Sequence, residues 1–336
     1  MSGGTIISVI GTAVSLLSFI QSNFPEKEND GGSSVAFAVG LNTDGLSGAG
    51  GDLPDVRLFG EGGEFLGAKY DPGDIQNGAA GKKVKVDQSG HEYQQPSYAL
   101  FTANDDAICV AYVAQTWPDG SKWAWSGDWG RVCAGGTYYH SNIIINPDEP
   151  HKPDCLWIDK NGDQPVTAFQ VHFPDFTKNS DGSYNHDIGY YCNTPAYKYS
   201  FGNDPNGISY YVPPRDYNNG GINGKRSVLT GRQEQNLPIE PVPDFGRVYS
   251  NDTRLVISSD PQHTATSLCD ADRSYGPDFV SMSEGLYCDM SVKTLYPLCV
   301  PDSDATGACF EVATASLKSG GARMSQKAFS KILQWD

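Results

Sequence analysis

Eight cysteines are spread between residues 109 and 309 of this 336-residue chain, and none forms a C-x-x-C pair with another. They stand at Cys109, Cys133, Cys155, Cys192, Cys269, Cys288, Cys299 and Cys309. An even number at wide, irregular spacing points to disulfides in a β-rich body rather than to a zinc or thioredoxin-type site. Short loops favour Cys109–Cys133, Cys155–Cys192 and two pairs between Cys269 and Cys309, although spacing alone leaves the connectivity open. Each bond constrains the unfolded chain and adds roughly 2–4 kcal/mol. A chain of this length has enough residues for a core without them, so the bonds imply durability in an oxidising compartment.

The strand signals agree. Residues 35–39 and 55–59 alternate apolar and polar or small side chains with period two, a glycine-rich turn follows at 60–63, and 64–67 returns. Residues 98–101, 108–113, 156–158 and 166–173 read as further strands, and Asn161-Gly162 reads as the turn of a hairpin between the last two. With Gly 38, Pro 21 and Tyr 18 against Met 4, the composition is that of a turn-rich, aromatic β protein. The expected fold is all-β: disulfide-braced β-sandwich-type modules, an N-terminal amphipathic helix and a short C-terminal helix. Along the chain this gives an apolar helix at 1–25, a linker at 26–34 and a β module at 35–176. A loop-rich connector at 177–245 and a second cysteine-rich β segment at 246–336 follow. The closing helix would carry Met324, Ala328 and Ile332 on one face.

Residues 1–25 contain no charged side chain. Ile6, Ile10, Val14 and Leu17 recur at helical spacing, opposite a face of Ser8, Thr12, Ser15 and Ser22. A cleavable secretory signal begins with a basic region, which is absent, and a membrane span is disfavoured by the serines and glycines. Packing into a core or an interface between copies is the favoured reading, so the expected partner is a second copy of the chain. Membrane contact through 1–25, as in small pore-forming proteins, is the sharper alternative, but the polar face lacks lysines. The expected location is an oxidising compartment or the exterior, reached without a clear cleavable signal.

The net charge of −16 repels phosphate backbones and anionic headgroups, which argues against nucleic-acid binding. The six histidines form no H-E-x-x-H, and the chain has no G-x-S-x-G, Walker loop or G-x-G-x-x-G. No catalytic residue, metal ligand or cofactor is therefore assigned. His172 reads as a strand histidine with a local partner in Asp175. Asp159, Asn161 and Asp163 alternate oxygen donors as calcium loops do, but glycine falls too early and no bidentate glutamate follows. A second run at Asn179, Asp181, Asn185 and Asp187 is equally weak. The densest chemistry-bearing stretch is Trp117 to Trp129. It holds Trp117, Trp123, Trp125 and Trp129, with Trp123 and Trp125 on one strand face. Such a face either stacks on sugar rings, making Trp123, Trp125 and Trp129 candidate ligand-binding residues of a defence lectin, or buries its indoles against a second sheet. Asn251-Asp252-Thr253 is the single N-glycosylation sequon, usable if the chain enters the secretory pathway.

Two blocks carry a resemblance. The first is Asp154-Cys-Leu-Trp-Ile-Asp159 with Ala168-Phe-Gln-Val-His-Phe-Pro-Asp-Phe176. The second runs from Gly276-Pro-Asp-Phe-Val-Ser281 through Cys288-Asp-Met-Ser-Val-Lys-Thr-Leu-Tyr-Pro-Leu-Cys299 to Ala308-Cys-Phe310. Together with residues 6–25 they resemble the sclerotium-specific, or development-specific, proteins of filamentous ascomycetes. The resemblance implies a protein abundant in sclerotia or fruiting structures, held in membrane-bound bodies, with no assigned enzyme activity and no binding residues to carry over.

Overall fold

The computed structural model describes residues 21–41, 49–133, 136–146, 150–176, 186–202, 204–212, 233–234, 251–300, 307–319, 322–323 and 327–335. The expected N-terminal helix at 1–25 lies almost wholly outside the described residues. Among them, no helix is long and apolar enough to cross a membrane.

The fold is all-β and braced by disulfides. A six-stranded antiparallel sheet is built on Ile108–Thr116, whose nine residues pair along one edge with Ser33–Val39. Along the other edge they pair with Lys122–Ser126 and then Cys155–Ile158. Tyr138–Tyr139 and Ala80–Val86 close its two ends. A five-stranded sheet runs in the order Tyr197–Phe201, Val166–His172, Tyr98–Thr102, Asp55–Phe59, Phe65–Lys69. Val35, Phe37 and Val39 from the first sheet meet Val56, Leu58, Phe101 and Phe169 from the second in one core. Phe37 lies edge-on to Phe101 at 5.5 Å, a favoured aromatic geometry.

The alternate residues of the same strands face the other way. Ala36, Ala38, Ala111 and Ala114 pack in a second core with Val256, Phe279, Leu333 and Trp335. These belong to a third sheet, ordered Thr294–Pro297, Leu286–Asp289, Asp278–Ser281, Arg254–Ser258, Lys331–Trp335. The central sheet is thus covered on both faces, which is why Ser33–Val39 and Ile108–Thr116 are buried at every position. The alanines on its second face let the third sheet approach closely. The small sheet of Ala308–Glu311, Ser316–Ser319 and Ala322–Arg323 adjoins the third.

Four expectations are corrected. The first two disulfides are Cys109–Cys155 and Cys133–Cys192, with Cys269–Cys288 and Cys299–Cys309 following. Loop length misleads here because strands 46 residues apart lie side by side in one sheet. The Asn161-Gly162 turn does not make a hairpin: Cys155–Ile158 and Val166–His172 belong to different sheets, and the turn carries the chain between them. One oxygen of Asp159 accepts from the amides of Gly162, Asp163 and Gln164, which shapes that turn, and Gly162 takes φ 106 there. The sandwich does not stop at 176, since Tyr197–Phe201 pairs with Val166–His172. The chain ends not in a helix but in the strand Lys331–Trp335, parallel to Arg254–Ser258, with Leu333 and Trp335 buried and Ile332 turned out at 46% exposure. Met324 lies outside the described residues.

Candidate functional site

The tryptophan hairpin forms as read, with the turn closed by Gly120 N–H donating to the Trp117 carbonyl at 2.9 Å. Its indoles are interior. Trp125 is fully buried and stacks on Phe169 at 4.8 Å and Tyr197 at 5.5 Å; Trp129 packs on Tyr191 at 4.7 Å and edge-on to Phe176 at 5.3 Å. Trp123 is partly buried and lies 4.5 Å from Trp117. The face proposed for sugar stacking at Trp125 is occupied by the opposing sheet and that at Trp129 by Phe176 and Tyr191 of two short helical segments, so the platform of Trp123, Trp125 and Trp129 is not presented. Burying large aromatic area between two sheets outweighs displaying it to water.

The densest chemistry instead lies between the central sheet and the third sheet, where no sequence motif marked it. Lys122–Ser126 leads directly into the short helix Asp128–Val132, which brings Asp128 under the loop that carries His151 and Asp154. One Asp128 oxygen accepts from Ser126 Oγ at 2.7 Å and faces His151 Nε2 at 3.0 Å, and the other accepts from the Asp154 amide at 3.0 Å. Asp154 in turn bonds His140 Nδ1 at 2.6 Å and the Arg131 guanidinium. Burial alone would raise the Asp154 carboxyl, but Arg131 and His140 hold it well below the carboxylate range. Lys152 meets Asp260 at 3.1 Å across the same seam. Asp128, His140, Ser141, His151, Lys152, Asp154, Ser258 and His263 are all buried, so the third sheet is docked through a polar layer whose members satisfy one another.

Ser258 and His263 look superficially like a nucleophile and its base. Ser258 Oγ lies 2.9 Å from His263 Nδ1, but His263 Nε2 is bonded to the Ser141 carbonyl at 3.0 Å, not to a carboxylate. These partners assign the Nε2–H tautomer, with Nδ1 accepting from the serine. Neither residue has an exposed face for a substrate. The arrangement orients a neutral imidazole in a joint.

Burial, and then His140, push His263 down to about 3 from its ordinary 6.5. The unfolded chain takes up this proton and the folded protein does not. Its contribution is therefore intact above 6.5 and is lost progressively as pH falls from there towards about 3. His151 and His172 have the opposite sign. Burial would lower each, but Asp128 raises the first, and Asp175 with Glu61 raises the second. Their contributions are full below 6.5 and lost as pH rises through the raised values. Burial lifts Asp278 to about 6, so it also favours the folded state on acidification within its own window. The His263 effect is therefore read by difference. Between pH 6.5 and 4, urea unfolding of the wild type should lose up to ~1.4 kcal/mol per pH unit more than His263→Gln does. Equal slopes for the two proteins would refute the assignment.

The remaining sites fall elsewhere. His172 bonds Asp175 at 2.7 Å, as expected, and also Glu61 at 2.8 Å, which reaches it from the loop after Asp55–Phe59. Tyr190 and Tyr211 each donate to Asp175 at 3.2 Å. Of the first calcium-like run, one oxygen of Asp159 is taken up by its turn amides and the other is buried. Of the second run, Asn179, Asp181 and Asn185 lie outside the described residues, while Asp187 accepts from the Tyr190 amide and caps Ile188–Asn193. Among the described residues no group of three or more His, Cys, Asp or Glu could hold a metal ion. An open groove of about 440 Å³ runs along the outer seam, lined by Trp157, Tyr275, Gly276, Ser330 and residues 251–254. No family profile and no curated protein matches the chain.

The seam was missed because its members are scattered from Ser126 to His263 in the sequence. The signal that could have found it is a polar residue at a strand end inside a cysteine-bearing block, as at Asp154.

Proposed function

We propose that this chain is a non-enzymatic storage or developmental protein of an oxidising compartment, in keeping with the sclerotium-specific proteins that its cysteine-bearing blocks resemble. The observation that carries this reading is the use made of the polar residues. The histidines and most of the charged groups of the seam are buried and are bonded to one another or to backbone carbonyls. Four disulfides fit an oxidising environment; one ties two neighbouring strands of the central sheet and the others tie short helices and a loop to one another or to a strand. Such construction suits a protein that must persist. Self-association through residues 1–25 belongs to the same proposal, as a way to pack copies densely.

Protein abundance followed through dormancy and regrowth of the producing tissue should rise on entry into dormancy and fall during regrowth, and a flat profile would overturn the storage role. Light scattering should give a larger assembly for the full chain than for a chain beginning at Glu26. Equal masses would overturn the assembly.

A further inference from the structure

The outer groove joins three parts of the chain. Trp157 forms its floor from the central sheet and donates Nε1–H to the Tyr275 carbonyl at 2.9 Å; the Tyr275 ring stands at 89° to it, 6.0 Å away, as a wall. Gly276 continues that wall, and a Cβ there would lie 2.5 Å from the Tyr139 ring, so the chain approaches as closely as glycine allows. Arg254 is fixed by Asp252, with Nε 2.8 Å from one carboxylate oxygen and 3.0 Å from the other. Thr253 Oγ1 meets Ser330 Oγ at 2.8 Å. An aromatic corner beside a rigid donor–acceptor pair and hydroxyls is the surface chemistry that suits a sugar, whose C–H face is apolar and whose rim is polar.

Asn251, at the rim of this groove, is exposed and in irregular backbone just before Arg254–Ser258. It is the acceptor of the chain's single N-x-S/T sequon. The sequon residues themselves line the groove, and Tyr275, Gly276 and Ser330, which are remote from them in sequence, complete it. We propose that Asn251 carries an N-linked glycan whose innermost sugars lie in the groove against the partly exposed Tyr275 ring, with Trp157 buried beneath it, covering the seam between the central and third sheets.

The attachment is a substitution without redox change. Asn251 Nδ2 forms a bond to the anomeric carbon of the first sugar. That carbon's bond to a lipid-linked diphosphate breaks, the diphosphate leaves with the electron pair, and one amide proton passes to a base of the transferase. The co-reactant is the lipid-diphosphate oligosaccharide of the secretory pathway, so occupancy also reports the route to the oxidising compartment. The inference does not depend on the storage reading.

The test uses the full chain expressed through the secretory pathway of a glycosylating eukaryotic host. Intact mass should exceed the polypeptide mass by one glycan, which a glycan-releasing amidase removes. Asn251→Gln and Thr253→Ala should lose the increment, and Ser330→Ala should keep it. A disulfide-intact product with no increment overturns the site. The seat is read on the unsubstituted protein by proton NMR of the attached glycan. Ring currents should move protons of the first sugar upfield relative to the same glycan on the urea-unfolded chain. An occupied Asn251 whose sugar protons do not shift overturns the groove contact.

Discussion

Replacing Asp154 by asparagine should destabilise the protein by about 3–5 kcal/mol, because it removes the negative charge between the buried His140 and the partly buried Arg131. Asparagine keeps the size of the side chain but leaves Arg131 and His140 facing a neutral amide. Asp154 is 4% exposed and shares its two oxygens between them, so water cannot replace the lost interaction. Urea unfolding at neutral pH checks this, with a lowered midpoint and an unchanged slope. Asp30→Asn is the control. Asp30 bonds Lys85 on the surface, where both side chains are about half exposed, and its loss should leave the midpoint essentially where it was. A silent Asp154→Asn would mean that the layer between the two sheets contributes little to docking them.

Trp125→Ala should cost about 3–5 kcal/mol, the usual penalty for deleting a large aromatic from a core. Trp125 is 0% exposed and bridges the layers of the sandwich through Phe169 and Tyr197. Trp123→Ala, on the same face but only partly buried, should cost clearly less. Equilibrium unfolding of both variants separates the two uses of the hairpin. A display surface for sugars would tolerate Trp125→Ala without loss of stability, whereas a brace between sheets would not.

The strands of the sandwich were legible where alternation is local. Residues 35–39, 55–59, 98–101 and 108–113 all lie within observed strands. Tyr197, Tyr199 and Phe201 show the same alternation but sit in a stretch dominated by Asn, Gly and Pro, which obscured it. At the C-terminus, Leu333 and Trp335 alternate while Met324, Ala328 and Ile332 suggest a helical stripe. Parallel pairing with Arg254–Ser258 and burial of Trp335 favoured the strand. The polar seam was not legible at all, since Asp128, His140, Asp154 and His263 share no spacing that a motif could express.

The amino-acid sequence by itself determined the all-β class, the strand-forming stretches and the oxidised state implied by the cysteines. These follow from side-chain period, turn chemistry and composition, which act over a few residues. Only the tertiary structure decided which cysteines pair, which face of the tryptophan hairpin is buried and which polar residues meet. Those outcomes rest on the stacking of three sheets, where residues tens of positions apart become neighbours and the burial of one face depends on what covers it. Cys109 meets Cys155 rather than Cys133 because their strands are adjacent in the central sheet.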